Sequence, residues 1–120
     1  MIVLMRLVLP LLLAAAPAYS DPATVEAVAV SRVGEGWRFD VTIRHPDTGW
    51  DDYADGWEVV DATGARLGYR ELLHPHVTEQ PFTRSLFGVV IPEGTARVFV
   101  RARESVGGWG EALFAVDLPK

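Results

Sequence analysis

The chain has no cysteine in its 120 residues, which excludes disulfide staples, thiolate metal centres and cysteine nucleophiles, and leaves no thiol for lipid attachment. Its two methionines, Met1 and Met5, lie in an N-terminal segment that reads as removable, so thioether copper ligation is excluded from the remainder. Basic charge is scarce. Eleven Lys and Arg against 16 Asp and Glu give a net charge of −5, and losing Arg6 with the leader makes it −6. That acidity argues against a nucleic-acid partner. Helical periodicity is hard to find after Asp21, and neither Gly-x-Ser-x-Gly nor a phosphate-cradling glycine loop ahead of a helix is present. No signature of catalysis remains, and the chain is not expected to be an enzyme.

What is present begins with a targeting segment: Arg6, an apolar stretch over 7–16, and small residues at alternate positions in Ala16-Pro17-Ala18-Tyr19-Ser20. The apolar stretch is about half of what a membrane-spanning helix needs. Residues 1–20 are therefore expected to be a signal peptide, cleaved to leave Asp21 first, with Ala18 as the other cleavage point. The product is one soluble domain, 21–120, periplasmic or secreted, free of the membrane and expected to be a monomer. About 100 residues suffice for a core without covalent staples.

Period-two alternation, broken by Gly, Pro and Asp, recurs along this domain and predicts an all-β fold. Strands are expected at 24–33, 37–44, 57–62, 66–73, 82–91, 96–103 and 112–118. The second is the clearest: Trp37, Phe39, Val41 and Ile43 face one way, Arg38, Asp40, Thr42 and Arg44 the other. In the sixth, Val98, Val100 and Ala102 point inward and Arg97, Arg101 and Arg103 form a solvated face; in the last, Ala112, Phe114, Val116 and Leu118 share a side. Seven short antiparallel strands at this spacing make a two-sheet β-sandwich.

An early strand with a core tryptophan, followed late by Arg97-Val98-Phe99-Val100-Arg101-Ala102-Arg103-Glu104-Ser105-Val106-Gly107-Gly108-Trp109-Gly110, resembles the fibronectin type III and related immunoglobulin-like domains over nearly the whole mature chain. Phe99 departs from that pattern, because it alternates with the arginines where those domains often place an inward aromatic. The string His74-Pro75-His76-Val77-Thr78-Glu79-Gln80-Pro81-Phe82-Thr83-Arg84-Ser85-Leu86 is similar to one in small exported bacterial proteins of unassigned function and implies no activity.

Alternating strand directions send the connections to two poles. Gly34-Glu35-Gly36, 61–64 and Pro92-Glu93-Gly94 are short turns at one; the loops 46–56, 74–81 and 105–110 share the other. The second pole collects every histidine, the acids Asp47, Asp51, Asp52, Asp55 and Glu79, and the aromatics Trp50, Tyr53 and Trp109, so it is the expected functional surface. Trp50, Tyr53 and Trp109 would bind a protein or carbohydrate partner, with Trp109 the best placed for exposure among its glycines. The main alternative is a periplasmic Cu or Zn site on His45, His74 and His76, with Glu79 or Asp47 as fourth ligand. The imidazoles would otherwise serve structurally, tying loops together. The acidic loop 47–56 fails the helix-loop-helix calcium spacing, and its aspartates read as turn formers.

Overall fold

The computed structural model describes residues 20–120, so the expected signal peptide lies, except for Ser20, outside the described residues. These residues form an all-β structure of two antiparallel sheets. The alternating segment becomes β2 (Gly36–Arg44), with Trp37, Phe39, Val41 and Ile43 all buried. It lies between β1 (Thr24–Val33) and β5 (Phe82–Val89), both antiparallel to it. The second sheet is centred on β3 (Ala54–Val60), flanked by β4 (Arg66–Glu71) and β6 (Arg97–Glu104). The far edge of β6 is shared by two short strands, β7 (Gly108–Trp109) beside its end and β8 (Phe114–Asp117) beside its start.

One cluster of buried apolar residues draws on both sheets: Phe39, Val41, Ile43 and Phe82 from the first, Trp57, Val59, Val98 and Val100 from the second. The sheets therefore share a core. The edge strands β4 and β5 meet across the two sheets, and there Gly68 supplies clearance: a Cβ at that position would sit 2.9 Å from Leu86 Cδ2. A second close approach joins β2 to the end of β5, where a Cβ on Gly36 would lie 3.0 Å from the Gly88 backbone.

β4 and β5 each end two residues earlier than expected, and three further differences bear on the site. β3 starts at Ala54 rather than 57, because Ala54 pairs with Glu104 and its N–H donates to Asp47 Oδ1 at 2.9 Å. The glycine-rich stretch after β6 is a hairpin rather than an open loop. Glu104 turns its carboxylate onto the N–H groups of Val106 and Gly107, and β7 then returns along β6, pairing Trp109 with Arg103. Finally, Ala112 is exposed, and the last strand begins only at Phe114.

Candidate functional site

The pole carrying the long connections is welded together by a buried polar knot at the ends of β2, β3 and β6. His45 follows β2 directly and is 1% exposed. Its Nδ1 is 2.6 Å from Asp47 Oδ1 and its Nε2 is 3.1 Å from the Asp21 carbonyl. Asp47 is the hub. Oδ1 also accepts the Ala54 N–H, and Oδ2 accepts the His76 N–H at 2.8 Å, which joins the 45–53 loop to the one before β5. Gln80 closes the same junction from the other side, accepting the His45 N–H and donating to the His76 carbonyl. The turn after β6 is attached by reciprocal bonds between Tyr53 and Ser105: the Tyr53 N–H reaches Ser105 Oγ and the Ser105 N–H reaches the Tyr53 carbonyl.

The histidines expected to share a metal occupy separate settings. His76 is buried, stacked on Phe82 at 3.8 Å between ring centres, with Nε2 2.8 Å from an Arg84 nitrogen. A guanidinium can only donate, so Nε2 is the acceptor and the ring is the neutral Nδ1–H tautomer. Burial pushes the His76 pKa below its ordinary value, and the positive charge of Arg84 adds to the effect. His74 is exposed, 4.6 Å from the His76 ring, and Glu79 is exposed beside Arg84. The structure instead brings His45 together with Asp52 and Glu104: one ligand atom from each lies within 4.8 Å of the others, and among the described residues this is the one such group of three or more histidines or acids. Asp55 is turned away to Arg103.

The aromatic residues are also distributed differently. Gly49 to Asp52 is a tight turn closed by the Asp52 N–H on the Gly49 carbonyl at 3.2 Å, which puts Trp50 and Asp51 at its tip. Trp50 is consequently 67% exposed and meets Tyr53 edge-on at 5.6 Å. Trp109 is half-buried on β7, because the outer face of this sheet has a packed layer of its own. Glu58, 3% exposed, accepts from Arg66 and Arg101 at 2.7 Å each, and both guanidiniums lie over the Trp109 ring with Tyr69 at its edge. The arginines of β6 are thus engaged rather than free, Arg101 and Arg103 with acids of β3 and Arg97 with Asp117 of β8, and Phe99 shares their outward side, half-buried. Trp109 also lines a cleft of about 680 Å³ with Pro22, Val25, Leu113 and Phe114 that reaches the Gly107 turn.

Sequence reasoning passed over Asp21, Gln80 and Glu104, and placed Asp52 at the functional pole without a role of its own. For Glu104 a signal existed: it continues the inward series Val98, Val100, Ala102 and so places a carboxylate at a core position.

A relative from Halomicrobium mukohataei, named "Putative lipoprotein", is 45% identical over 93 residues, which is 78% of this chain. The chain spans 45% of that protein's length, so the similarity concerns part of a longer polypeptide. No family model matches the chain, and no solved structure matches it.

Proposed function

We propose that this is an exported, non-catalytic accessory domain that recognises a protein or carbohydrate partner through the pole built from the 45–53, 72–81 and 105–107 connections. The observation that carries the reading is Trp50, a large apolar ring held two-thirds exposed at the tip of a closed turn whose flanks are bonded into the knot. Loops fixed on a rigid scaffold and bearing an exposed aromatic are where recognition energy concentrates. Leu73, Val77 and Val106, each at least half exposed, stand on the connections joined to it. Trp109 contributes through the adjoining cleft rather than at the tip.

Export is supported by the leader-like 1–20 segment and by the name of the Halomicrobium relative. This chain has no thiol of its own to carry a lipid, which favours a soluble periplasmic or secreted form. The fibronectin type III-like sandwich is supported by sheet membership, with strands 1, 2 and 5 in one sheet and 4, 3, 6 and the last in the other over a shared core. The non-catalytic reading rests on the sequence, and Ser105 is given a scaffold role in it, its hydroxyl accepting the Tyr53 N–H. Net acidity keeps nucleic acid from the partner list, and a monomer is the working state.

The test is binding of the mature domain to an oligosaccharide panel and, by cross-linking and mass spectrometry, to envelope proteins, alongside Trp50→Ala and Trp50→Ala/Tyr53→Ala. Trp50→Ala is expected to weaken binding at least tenfold with an unchanged melting temperature, since hot-spot aromatics contribute about 2 kcal/mol or more. Binding that survives the double variant would place the recognition surface elsewhere.

A further inference from the structure

Three carboxylates converge on the His45 ring. Asp47 and Glu104 are 5% and 2% exposed, and Asp52 Oδ1 lies 3.5 Å from Nε2, itself buried and without a hydrogen-bond partner. Among the described residues, no Lys or Arg forms an ion pair with any of them. Buried carboxylates are costly unless a cation compensates them, and two of these three are buried.

The geometry around the ring has the same implication. Asp47 can only accept, so it fixes the proton on Nδ1. Nε2 of the neutral ring is then a bare lone pair, yet it faces the Asp21 carbonyl oxygen at 3.1 Å and Asp52 Oδ1 at 3.5 Å. Lone pairs directed at one another are repulsive unless something positive lies between them. An imidazole oriented by a carboxylate on one nitrogen and free to ligate through the other is how proteins present histidine to a metal.

From this we infer that His45 Nε2, Asp52 and Glu104 form a divalent metal site of mixed nitrogen and oxygen character, with the Asp21 carbonyl as a further oxygen. The chemistry favours Zn(II). Calcium and magnesium prefer all-oxygen shells of six or more ligands, whereas zinc takes imidazole and carboxylate together at about 2.0–2.2 Å. Ligand atoms now within 4.8 Å must close in somewhat, and Asp52, a third exposed on its turn, has the freedom to do so. Glu104 is already oriented, because its two oxygens accept the Val106 and Gly107 N–H groups and retain lone pairs for a metal. The site joins the N-terminal segment, the 45–53 loop and the end of β6. It does not include the exposed His74, and it adjoins the Trp50 surface through Asp52, which closes the turn that carries Trp50.

The experiment is calorimetric titration and thermal melting of the chelator-treated mature chain with Zn(II), Ca(II) and Mg(II), using wild type, Asp52→Asn, Glu104→Gln, His74→Ala and Trp50→Ala. One zinc per chain is expected, raising the melting temperature by about 10 °C or more at a hundredfold excess over Kd. Asp52→Asn, at a partly exposed turn that should fold normally, should weaken zinc at least tenfold; His74→Ala and Trp50→Ala should leave it unchanged. A zinc-dependent shift of the His45 imidazole nitrogen resonances gives a readout independent of stability. The inference is overturned if zinc does not bind, if zinc affinity survives Asp52→Asn and Glu104→Gln or falls with His74→Ala, or if calcium binds in place of zinc.

Discussion

Replacing Asp47 by alanine should be among the most damaging single changes in this molecule, although it removes one small side chain from a loop. The carboxylate accepts three hydrogen bonds, from His45 Nδ1, the Ala54 N–H and the His76 N–H, and its side chain is wholly buried. Alanine leaves all three donors without a partner where water does not reach. Each stranded donor costs about 1–3 kcal/mol. Recovering the desolvation of one buried carboxylate offsets part of this, so the low end of the sum applies, about 3–5 kcal/mol. Against a total stability of about 5–15 kcal/mol, that is a large fraction. At about 4–8 °C per kcal/mol for a domain of this size, the melting temperature should fall by about 15 °C or more. Asp47→Asn separates the contributions: its amide oxygen can still serve two donors, but its NH2 confronts the His76 N–H, so the loss should be about 1–3 kcal/mol. Urea unfolding of the three proteins, with the slope checked for constancy, measures the order directly. If Asp47→Ala unfolds within 1 kcal/mol of wild type, the carboxylate is not the hub of this pole.

Trp37→Ala should cost about 3–5 kcal/mol in urea unfolding, because an 8% exposed indole is deleted from the middle strand of the first sheet; near-normal stability would contradict its place in the core. Two glycine changes should rank by what the new methyl meets. Gly68→Ala presses on the end of the Leu86 side chain, which can yield, whereas Gly36→Ala presses on the Gly88 backbone, which cannot. Both fall within about 1–3 kcal/mol by melting or urea, with Gly36→Ala the worse. The depressed pKa of His76 makes stability depend on pH. The unfolded chain takes up this proton near the ordinary value of 6.5 and the folded chain only at lower pH, so the contribution is present above 6.5 and is lost as pH falls toward the folded value. Wild type should therefore lose more urea stability between pH 7.5 and 5.5 than His76→Gln, and parallel profiles would refute the assignment.

The framework was legible where one physical signal dominated. β2 alternates strictly, one face is buried against the other sheet, and the pattern located it to within a residue. The convergence of the long connections followed from counting strand reversals, and the bonds from Asp47 to His76 and from Tyr53 to Ser105 join those connections. Side-chain fate inside the pole was less legible, because it depends on which groups meet across loops distant in sequence. Trp50 and Trp109 both stand beside glycine. One is carried outward by a turn closing on Asp52, while the other is drawn onto a sheet by two arginines whose partner, Glu58, sits among the apolar residues Trp57, Val59 and Val60 of β3. His45 and Asp47 are two residues apart, a spacing that permits a side-chain bond without requiring one. Only the arrival of the Ala54 and His76 N–H groups makes Asp47 a hub.

The knot and the exposed tryptophan are two aspects of one arrangement. A loop that must order itself on binding gives up part of its contact energy, roughly 0.5–1.5 kcal/mol for each immobilised side chain, whereas a loop ordered in advance keeps it. The 45–53 connection is fixed at its start by Asp47 and at its end by Tyr53, and its own turn closes between them. Trp50 is thus presented with its backbone already restrained. Weakening the knot while leaving Trp50 in place should therefore reduce partner affinity through lost order rather than lost contact. Asp47→Asn, measured below its own melting transition, should bind more weakly than wild type with a faster off-rate and a less favourable binding entropy. Trp50→Ala should lose binding enthalpy at unchanged stability. If Asp47→Asn binds the Trp50-dependent partner as tightly as wild type, the turn closing on Asp52 is sufficient to hold the ring, and the buried polar cluster serves folding alone.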